Sequence, residues 1–213
     1  MPADSPTTPA PGPEQARPLI LASSSVTRQQ MLRAAGLEFE IRPARIDEAM
    51  LRQSLAAEGA KPRDQADALA DAKARKIADR NPAALVLGCD QILALNDRVF
   101  ARPATPGEAR AQLLDLRGKT HHLFSAAVLY DAGEPVWRHV GVARMTMRAF
   151  SDAWVDAYLS RNWPAISASV GAYQIESEGI RLFDRIEGDH FSILGLPLLP
   201  LLSYLALRGW IPS

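Results

Sequence analysis

The sequence predicts a protein that mixes helices and strands, α/β or α+β, on a mixed sheet, with two lobes and a cleft between them. Three observations carry this. Strand patterns and helix-spaced apolar stripes intermix without the regular alternation of an all-parallel sheet. No internal repeat is visible, so a solenoid or propeller is not indicated. The 213 residues, 47% apolar and 23% charged, suit one domain or two small lobes with a sizeable core.

Residues 1–17 are rich in Pro, Ala, Thr and Ser and cannot bury enough surface to offset their ordering entropy. They are expected to be a disordered tail, leaving residues 18–213 as a single folded domain. Leu19-Ile20-Leu21-Ala22 reads as a short buried strand. Ser23-Ser24-Ser25 leads into a helix whose stripe, Met31, Leu32 and Ala35, stops at Gly36. Leu37, Phe39 and Ile41 alternate with Glu38 and Glu40, predicting a second strand, and Asp47-Glu48 falls in the loop or first helical turn after it. A long helix over Pro62 to Asp79 carries Ala66, Leu69, Ala70, Ala74 and Ile77 on one face.

Ala84 to Gly88 reads as a buried strand ending at Cys89-Asp90-Gln91. Ile92 to Leu95 and Val99-Phe100 flank a turn at Asn96-Asp97, which predicts a hairpin. Thr105 caps a helix running to Leu116. His121 to Tyr130 and Val136 to Met147 read as two long antiparallel strands, and Ser151-Asp152 caps a helix through Leu159. Ile180 to Phe183 reads as a strand, and a last helix starts at about Pro197.

Twenty-four basic and twenty-four acidic residues cancel, which argues against a broad grip on a nucleic acid polymer. The single cysteine, Cys89, excludes an intramolecular disulfide framework and fits a reducing compartment. No apolar run is long enough to span a bilayer, and the N-terminus lacks the basic-then-apolar order of a signal peptide. No membrane association and a cytoplasmic location are expected.

Three places can carry chemistry. The turn Ser23 to Arg28, between a buried strand and a helix start, offers backbone amides, hydroxyls and a guanidinium to an anion; by position alone it reads more simply as a capped helix. Asp90, at an expected strand end, can take a proton from water or hold a metal, or be an ordinary turn residue. Asp47, Glu48, Lys73 and Arg102 combine carboxylates for a hard cation with cations for phosphates, although each alone reads as a solvated charge. Cys89 reads as a small buried residue rather than a nucleophile. Gly118-Lys119-Thr120 resembles the end of a P-loop, but the glycine that loop requires is Leu113 here. His121 and His122 are adjacent, so on a strand they face opposite ways and cannot share a metal.

Read together, a series of short motifs occurs in order. It comprises Leu21-Ala22-Ser23-Ser24-Ser25-Val26-Thr27-Arg28, Asp47-Glu48, Ala70-Asp71-Ala72-Lys73-Ala74, Gly88-Cys89-Asp90-Gln91, Arg102-Pro103, Leu116-Arg117-Gly118, Gly171-Ala172-Tyr173, Gly188-Asp189 and Leu194-Gly195-Leu196-Pro197-Leu198. The series resembles the Maf family of nucleoside triphosphate pyrophosphatases over roughly Leu19 to Leu207. The resemblance implies an α/β fold with a central mixed sheet, flanking helices and a cleft between lobes. It implies hydrolysis of a nucleoside triphosphate to the monophosphate and pyrophosphate, with a divalent cation (Mg2+ or Mn2+) as cofactor. It places the proton acceptor at Asp90, phosphate contacts at Ser23, Arg28, Lys73 and Arg102, and a metal-site carboxylate at Glu48. A homodimer is the assembly it suggests.

Two positions depart from the family pattern: Val26 replaces a usual proline and Arg102 a usual lysine, which keeps the charge but changes its shape. Base choice in the family varies at Thr27, Gln91 and Glu176. Gln91 and Glu176 match the subgroup acting on 7-methyl-GTP, whereas the subgroup acting on dTTP and UTP carries Thr and Gln there. Thr27 replaces the aromatic of the 7-methyl-GTP subgroup and removes a stacking surface. The competing reading is a non-catalytic nucleotide-binding regulator, since Maf relatives are associated with inhibition of septum formation. The joint presence of Asp90, Glu48 and Lys73 favours the enzyme.

Overall fold

In the computed structural model, residues 17–212 are described. The expected tail therefore lies outside the described residues, apart from Arg17, which pairs with Asp131. In chain order the elements are β1 (Leu19–Leu21), α1 (Val26–Ala34), β2 (Glu40–Ile41), α2 (Glu48–Ala57), α3 (Pro62–Ala78), β3 (Leu85–Leu95), β4 (Arg98–Phe100), α4 (Pro106–Leu116), β5 (Thr120–Asp131), β6 (Glu134–Met147), α5 (Asp152–Asn162), β7 (Phe183–Glu187), α6 (His190–Ile193) and α7 (Leu198–Leu207). Short 3₁₀ turns at Ala165–Ala168, Val170–Ala172 and Glu178–Leu182 lie between α5 and β7.

The sheet runs β2-β1-β3-β5-β6-β7, with β4 also paired to β3. β1 is parallel to β2 and β3, and the remaining pairs are antiparallel, so the sheet is mixed as expected. Successive residues of β1 and β3 face opposite sides. Leu19, Leu21, Leu85 and Leu87 pack with α1 and α7, whereas Ile20 and Val86 pack with Ala66, Leu69, Ala70 and Ala74 of α3. A third apolar cluster joins Leu93, Leu123 and Met145 to Leu113 and Leu116 of α4 and to Val155 and Tyr158 of α5. Among the described residues no helix is long and apolar enough to cross a membrane.

Three sequence expectations need correction. The second strand is only Glu40–Ile41, because Leu37 first closes the end of α1 by donating its amide to Leu32. Ile180 to Phe183 is not one strand: Gly179 and Leu182, three apart, are the buried pair of a 3₁₀ turn, Ile180 is exposed, and the strand starts at Phe183. Asp47-Glu48 does open a helix, α2, which the sequence reading did not extend; its residues are all at least partly exposed, and its half-buried Leu51 packs against the core. Most consequentially, β3 does not end near Asp90 but continues through it to Leu95.

Candidate active site

Asp90 is accessible to chemistry in mid-strand because β3 lacks a strand neighbour on one side there. On one edge β5 pairs continuously from Val86 to Ala94, with Ala126 opposite Asp90. On the other edge β1 pairs only as far as Leu87, and β4 joins only at Leu93. The interval between them opens one edge of the sheet at Gly88 to Ile92. Arg28 of α1 fills part of it, donating from Nη1 to the Cys89 carbonyl at 3.2 Å.

Arg28 is buried, and its other contacts hold it in place. Nε donates to the Gly195 carbonyl at 2.8 Å and Nη1 to Ser23 Oγ at 3.2 Å. Ser23 Oγ also accepts from the Ser25 amide, and Ser25 Oγ caps α1 by accepting from the Arg28 amide. The turn is a helix cap, and it also fixes a buried cation and a hydroxyl at the head of the helix.

Lys73 is the hub of the charged cluster. Its Nζ is 2.7 Å from Asp90 Oδ1 and 2.8 Å from Glu48 Oε1. Asp90 and Lys73 are 3% and 7% exposed, so the pair is shielded from water. Burial alone would raise the Glu48 carboxyl, but the hydrogen bond and charge of Lys73, with the charges of Arg52 and Arg102, outweigh it and lower the pKa. Arg52, on α2, brings Nη2 to 3.5 Å from both Glu48 Oε2 and Asp90 Oδ2.

A cavity of about 440 Å3 is lined by Ser23, Ser24, Ser25, Thr27, Arg28, Glu48, Lys73 and Arg102, with Ser169 and Gln174 from the segment between α5 and β7. Asp90 lies behind Lys73 rather than on this wall. Thr27 and Ser169 also line two smaller spaces. One, of about 80 Å3, adds Gln91; the other, of about 60 Å3, holds Gln91, Tyr173 and Glu176. The cleft thus has a cationic end and, through Thr27 and Ser169, a second end at Gln91 and Glu176. Gln91 is anchored there: Nε2 donates to Ser125 Oγ and to the Ile193 carbonyl, both at 2.9 Å. Its Oε1 is the amide atom left for a ligand.

All nine residues singled out from the sequence, Ser23, Thr27, Arg28, Glu48, Lys73, Asp90, Gln91, Arg102 and Glu176, fall on or directly behind this one cleft. Asp47 does not join them; its Oδ1 caps α2 by accepting from the Met50 amide at 2.9 Å. Cys89 turns its side chain into the core, where burial pushes the thiol up to about 11, as an inert cysteine requires. Sequence reasoning missed Arg52, Ser125, Ser169 and Gln174. Only Ser125 left a signal, as a lone hydroxyl in the apolar run of β5.

The family model for Maf-like proteins matches residues 18–207. The chain belongs to the Maf family. Among similar Maf relatives is a nucleoside triphosphate pyrophosphatase of Ruegeria pomeroyi, 53% identical over 92% of this chain and 98% of that protein. Nucleoside triphosphate pyrophosphatase 1 of a Jannaschia species is 56% identical over 91% of this chain and 98% of its own length. A 7-methyl-GTP pyrophosphatase of Mesorhizobium japonicum is 52% identical over 90% of this chain and 96% of that protein. The Maf match spans the cleft from Ser23 to Glu176.

Proposed function

We propose that the chain hydrolyses nucleoside 5′-triphosphates to nucleoside monophosphate and pyrophosphate, with a preference for guanine-type bases, including modified ones such as 7-methyl-GTP. The observation that carries this reading is the buried carboxylate of Asp90 at the foot of a cavity whose wall bears Lys73, Arg28, Arg102 and the head of α1. The names of relatives at about 50% identity support it.

Water attacks the α-phosphorus, a P–O bond forms, and the bond to the β-phosphate oxygen breaks. Pyrophosphate leaves with the electron pair, and the proton lost by water goes to Asp90. Charge grows on the phosphoryl oxygens and on the leaving pyrophosphate, where Lys73, Arg28, Arg102 and the amides after Ser23 stabilise it. Lys73 has a double use: it holds Asp90 Oδ1 in place in the free protein and transfers its hydrogen bond to a phosphate oxygen when the nucleotide enters.

The residues present also fit a divalent cation. Glu48 and Asp90 bring carboxylate oxygens, the hard donors such an ion takes, to within 2.8 and 2.7 Å of Lys73 Nζ. Among the described residues no group of three His, Cys, Asp or Glu forms a metal cage. One or two carboxylates completed by substrate phosphates is the arrangement Mg2+ favours. Bound by Glu48 and Asp90, such an ion would offset phosphate charge.

At the other end, Gln91 Oε1 and the Glu176 carboxylate are both acceptors. They suit the N–H donors on the Watson–Crick edge of guanine, and a carboxylate also suits a positively charged methylated ring. The chemistry belongs with a nucleotide pool, which fits the cytoplasm.

The test is pyrophosphate release from a nucleotide panel, including 7-methyl-GTP, GTP, dTTP and UTP, with Mg2+, Mn2+ or EDTA. Release that requires metal and favours the guanine nucleotides is expected. Binding without product would support the regulator instead, and a preference for dTTP would sink the base assignment.

A further inference from the structure

We infer that Arg52 is a positioning residue for Asp90, delivered by a surface helix that carries it together with Glu48. The inference rests on the hydrolytic reading of Asp90 given above. Its first support is that each of the two side chains carries an unsatisfied buried atom while their charged ends are in ion-pair contact. Asp90 Oδ2 and Arg52 Nε are both buried and both lack a hydrogen-bond partner. The Arg52 guanidinium is already within ion-pair distance, with Nη2 3.5 Å from Asp90 Oδ2. A charge-assisted hydrogen bond is normally about 2.7–2.9 Å. The gap is thus less than 1 Å too wide for Nη2 to satisfy Oδ2, and an unmet buried polar group costs more than an ordinary bond returns.

The second support is the helix that carries Arg52. None of the residues of α2 is buried, and Met50 is 66% exposed. Glu48 and Arg52 are one turn apart, so they share a face, and that face meets Lys73 and Asp90. The main apolar contact of α2 with the core is the half-buried Leu51, so no fully buried side chain of the helix has to be displaced in a small inward shift. Such a shift moves the Glu48 carboxylate and the Arg52 guanidinium together.

The third support is that Arg52 is absent from the residues lining the cavity, unlike Arg28, Lys73 and Arg102. It reaches the cleft only through the two carboxylates. Its role then follows from how the oxygens of Asp90 are divided. Lys73 holds Oδ1 and Arg52 approaches Oδ2. When Lys73 turns to a phosphate oxygen, Arg52 remains on Oδ2. It keeps the carboxylate plane fixed, and Oδ1 is the atom that meets water. Without Arg52, Asp90 can rotate, and misplacing a reacting group by about 1 Å can cost about a hundredfold in rate.

The experiment compares the full-length wild-type protein with Arg52→Gln, Arg52→Lys and Asp90→Asn. Each is assayed for steady-state pyrophosphate release from the best nucleotide, for binding of its non-hydrolysable α,β-methylene analogue, and for thermal unfolding. For Arg52→Gln, kcat is expected to fall about ten- to a hundredfold, with KM, analogue affinity and unfolding temperature unchanged. Arg52→Lys should recover part of kcat, because it restores a cation near Oδ2. Unchanged kcat in Arg52→Gln overturns the proposal. So does a loss that appears in KM and analogue affinity, which would make Arg52 a phosphate contact. So does a loss that tracks a lowered unfolding temperature and is not improved by lysine, which would make its role structural. Loss of turnover in Asp90→Asn beside a fully active Arg52→Gln sinks the Arg52 inference alone. Full turnover in Asp90→Asn sinks the reading of Asp90, and Arg52's role with it.

Discussion

Gly88 lies so close to Ala70 that a Cβ at Gly88 would stand 2.2 Å from the Ala70 carbonyl oxygen; it would also be 2.6 Å from the Ala74 amide nitrogen. The bare strand therefore lets α3 rest directly on β3. Residues two apart on a strand face the same way, so Asp90 faces the helix as Gly88 does. Lys73 lies between the two helix residues that Gly88 touches. The contact that packs the helix thus also brings Nζ to 2.7 Å from the carboxylate.

Gly88→Ala is accordingly expected to destabilise the fold by about 1–3 kcal/mol, as overpacking against backbone does, and to lower kcat by parting Lys73 from Asp90. Urea unfolding and pyrophosphate release test both. A variant with the wild-type midpoint and rate would show that α3 is seated by other contacts.

The parts of the cleft that were legible in the sequence are those built by local chemistry. Ser25 caps α1 and Ser23 reaches Arg28 within one turn of chain, so spacing alone reveals them. Lys73 could be placed inward because it sits beside the apolar stripe of α3. The position of Asp90 could not be read, because the break in strand pairing depends on where β1 and β4 stop, which is a property of distant segments. The Gly195 carbonyl that holds Arg28 is 167 residues away in the chain, and nothing local announces it. Arg52 was hidden by a helix with no fully buried residue, and the 3₁₀ turn was hidden because the buried partner of Leu182 is Gly179, which has no side chain to mark a three-residue period.

Asp90→Asn keeps the shape of the side chain and removes its ability to accept a proton. Lys73 retains Glu48 as a partner, so the fold is expected to survive. General-base removal costs about 10²- to 10⁴-fold in rate. The expected outcome is a fall in kcat of at least about a hundredfold, with an unchanged circular dichroism spectrum. A wild-type rate would show that water is activated elsewhere.

The buried His121 makes stability depend on pH. Its Nε2 meets Tyr173 Oη at 2.8 Å, its Nδ1 has no partner, and burial, aided by the charge of His122, pulls its pKa down from 6.5 to about 3. Between those values the unfolded chain binds a proton that the folded chain does not. Stability is therefore lost as pH falls below about 6.5, with a slope approaching about 1.4 kcal/mol per pH unit for this one group. His121→Gln keeps a polar partner for Tyr173 and does not titrate. The difference in urea stability between wild type and variant should change progressively from pH 7 to pH 4, against the wild type. A pH-independent difference would mean that His121 can be protonated in the folded protein.

Glu176 offers the sharpest test of base choice. Because Gln91 Nε2 is tied to Ser125 and Ile193, this end of the cleft offers two acceptors to the proposed base, Gln91 Oε1 and the Glu176 carboxylate. Guanine presents N–H donors to such a pair. Thymine and uracil present carbonyl acceptors beside a single N–H, so one of their oxygens would face a carboxylate. Glu176→Gln replaces a charged acceptor with a group that both donates and accepts. It weakens a charge-assisted bond to guanine and offers a donor to the pyrimidine carbonyl. Sites that hydrogen-bond a substrate discriminate strongly against analogues that leave buried polar groups unpaired. The ratio of kcat/KM for 7-methyl-GTP to that for dTTP is therefore expected to fall at least about tenfold in Glu176→Gln, while pyrophosphate release itself persists. Adding Gln91→Thr, which frees Ser125 and the Ile193 carbonyl, should shift the ratio further. If the ratio stays at its wild-type value in both variants, the base is chosen by some other part of the cleft, and the two acceptors at its far end do not face the nucleotide during turnover.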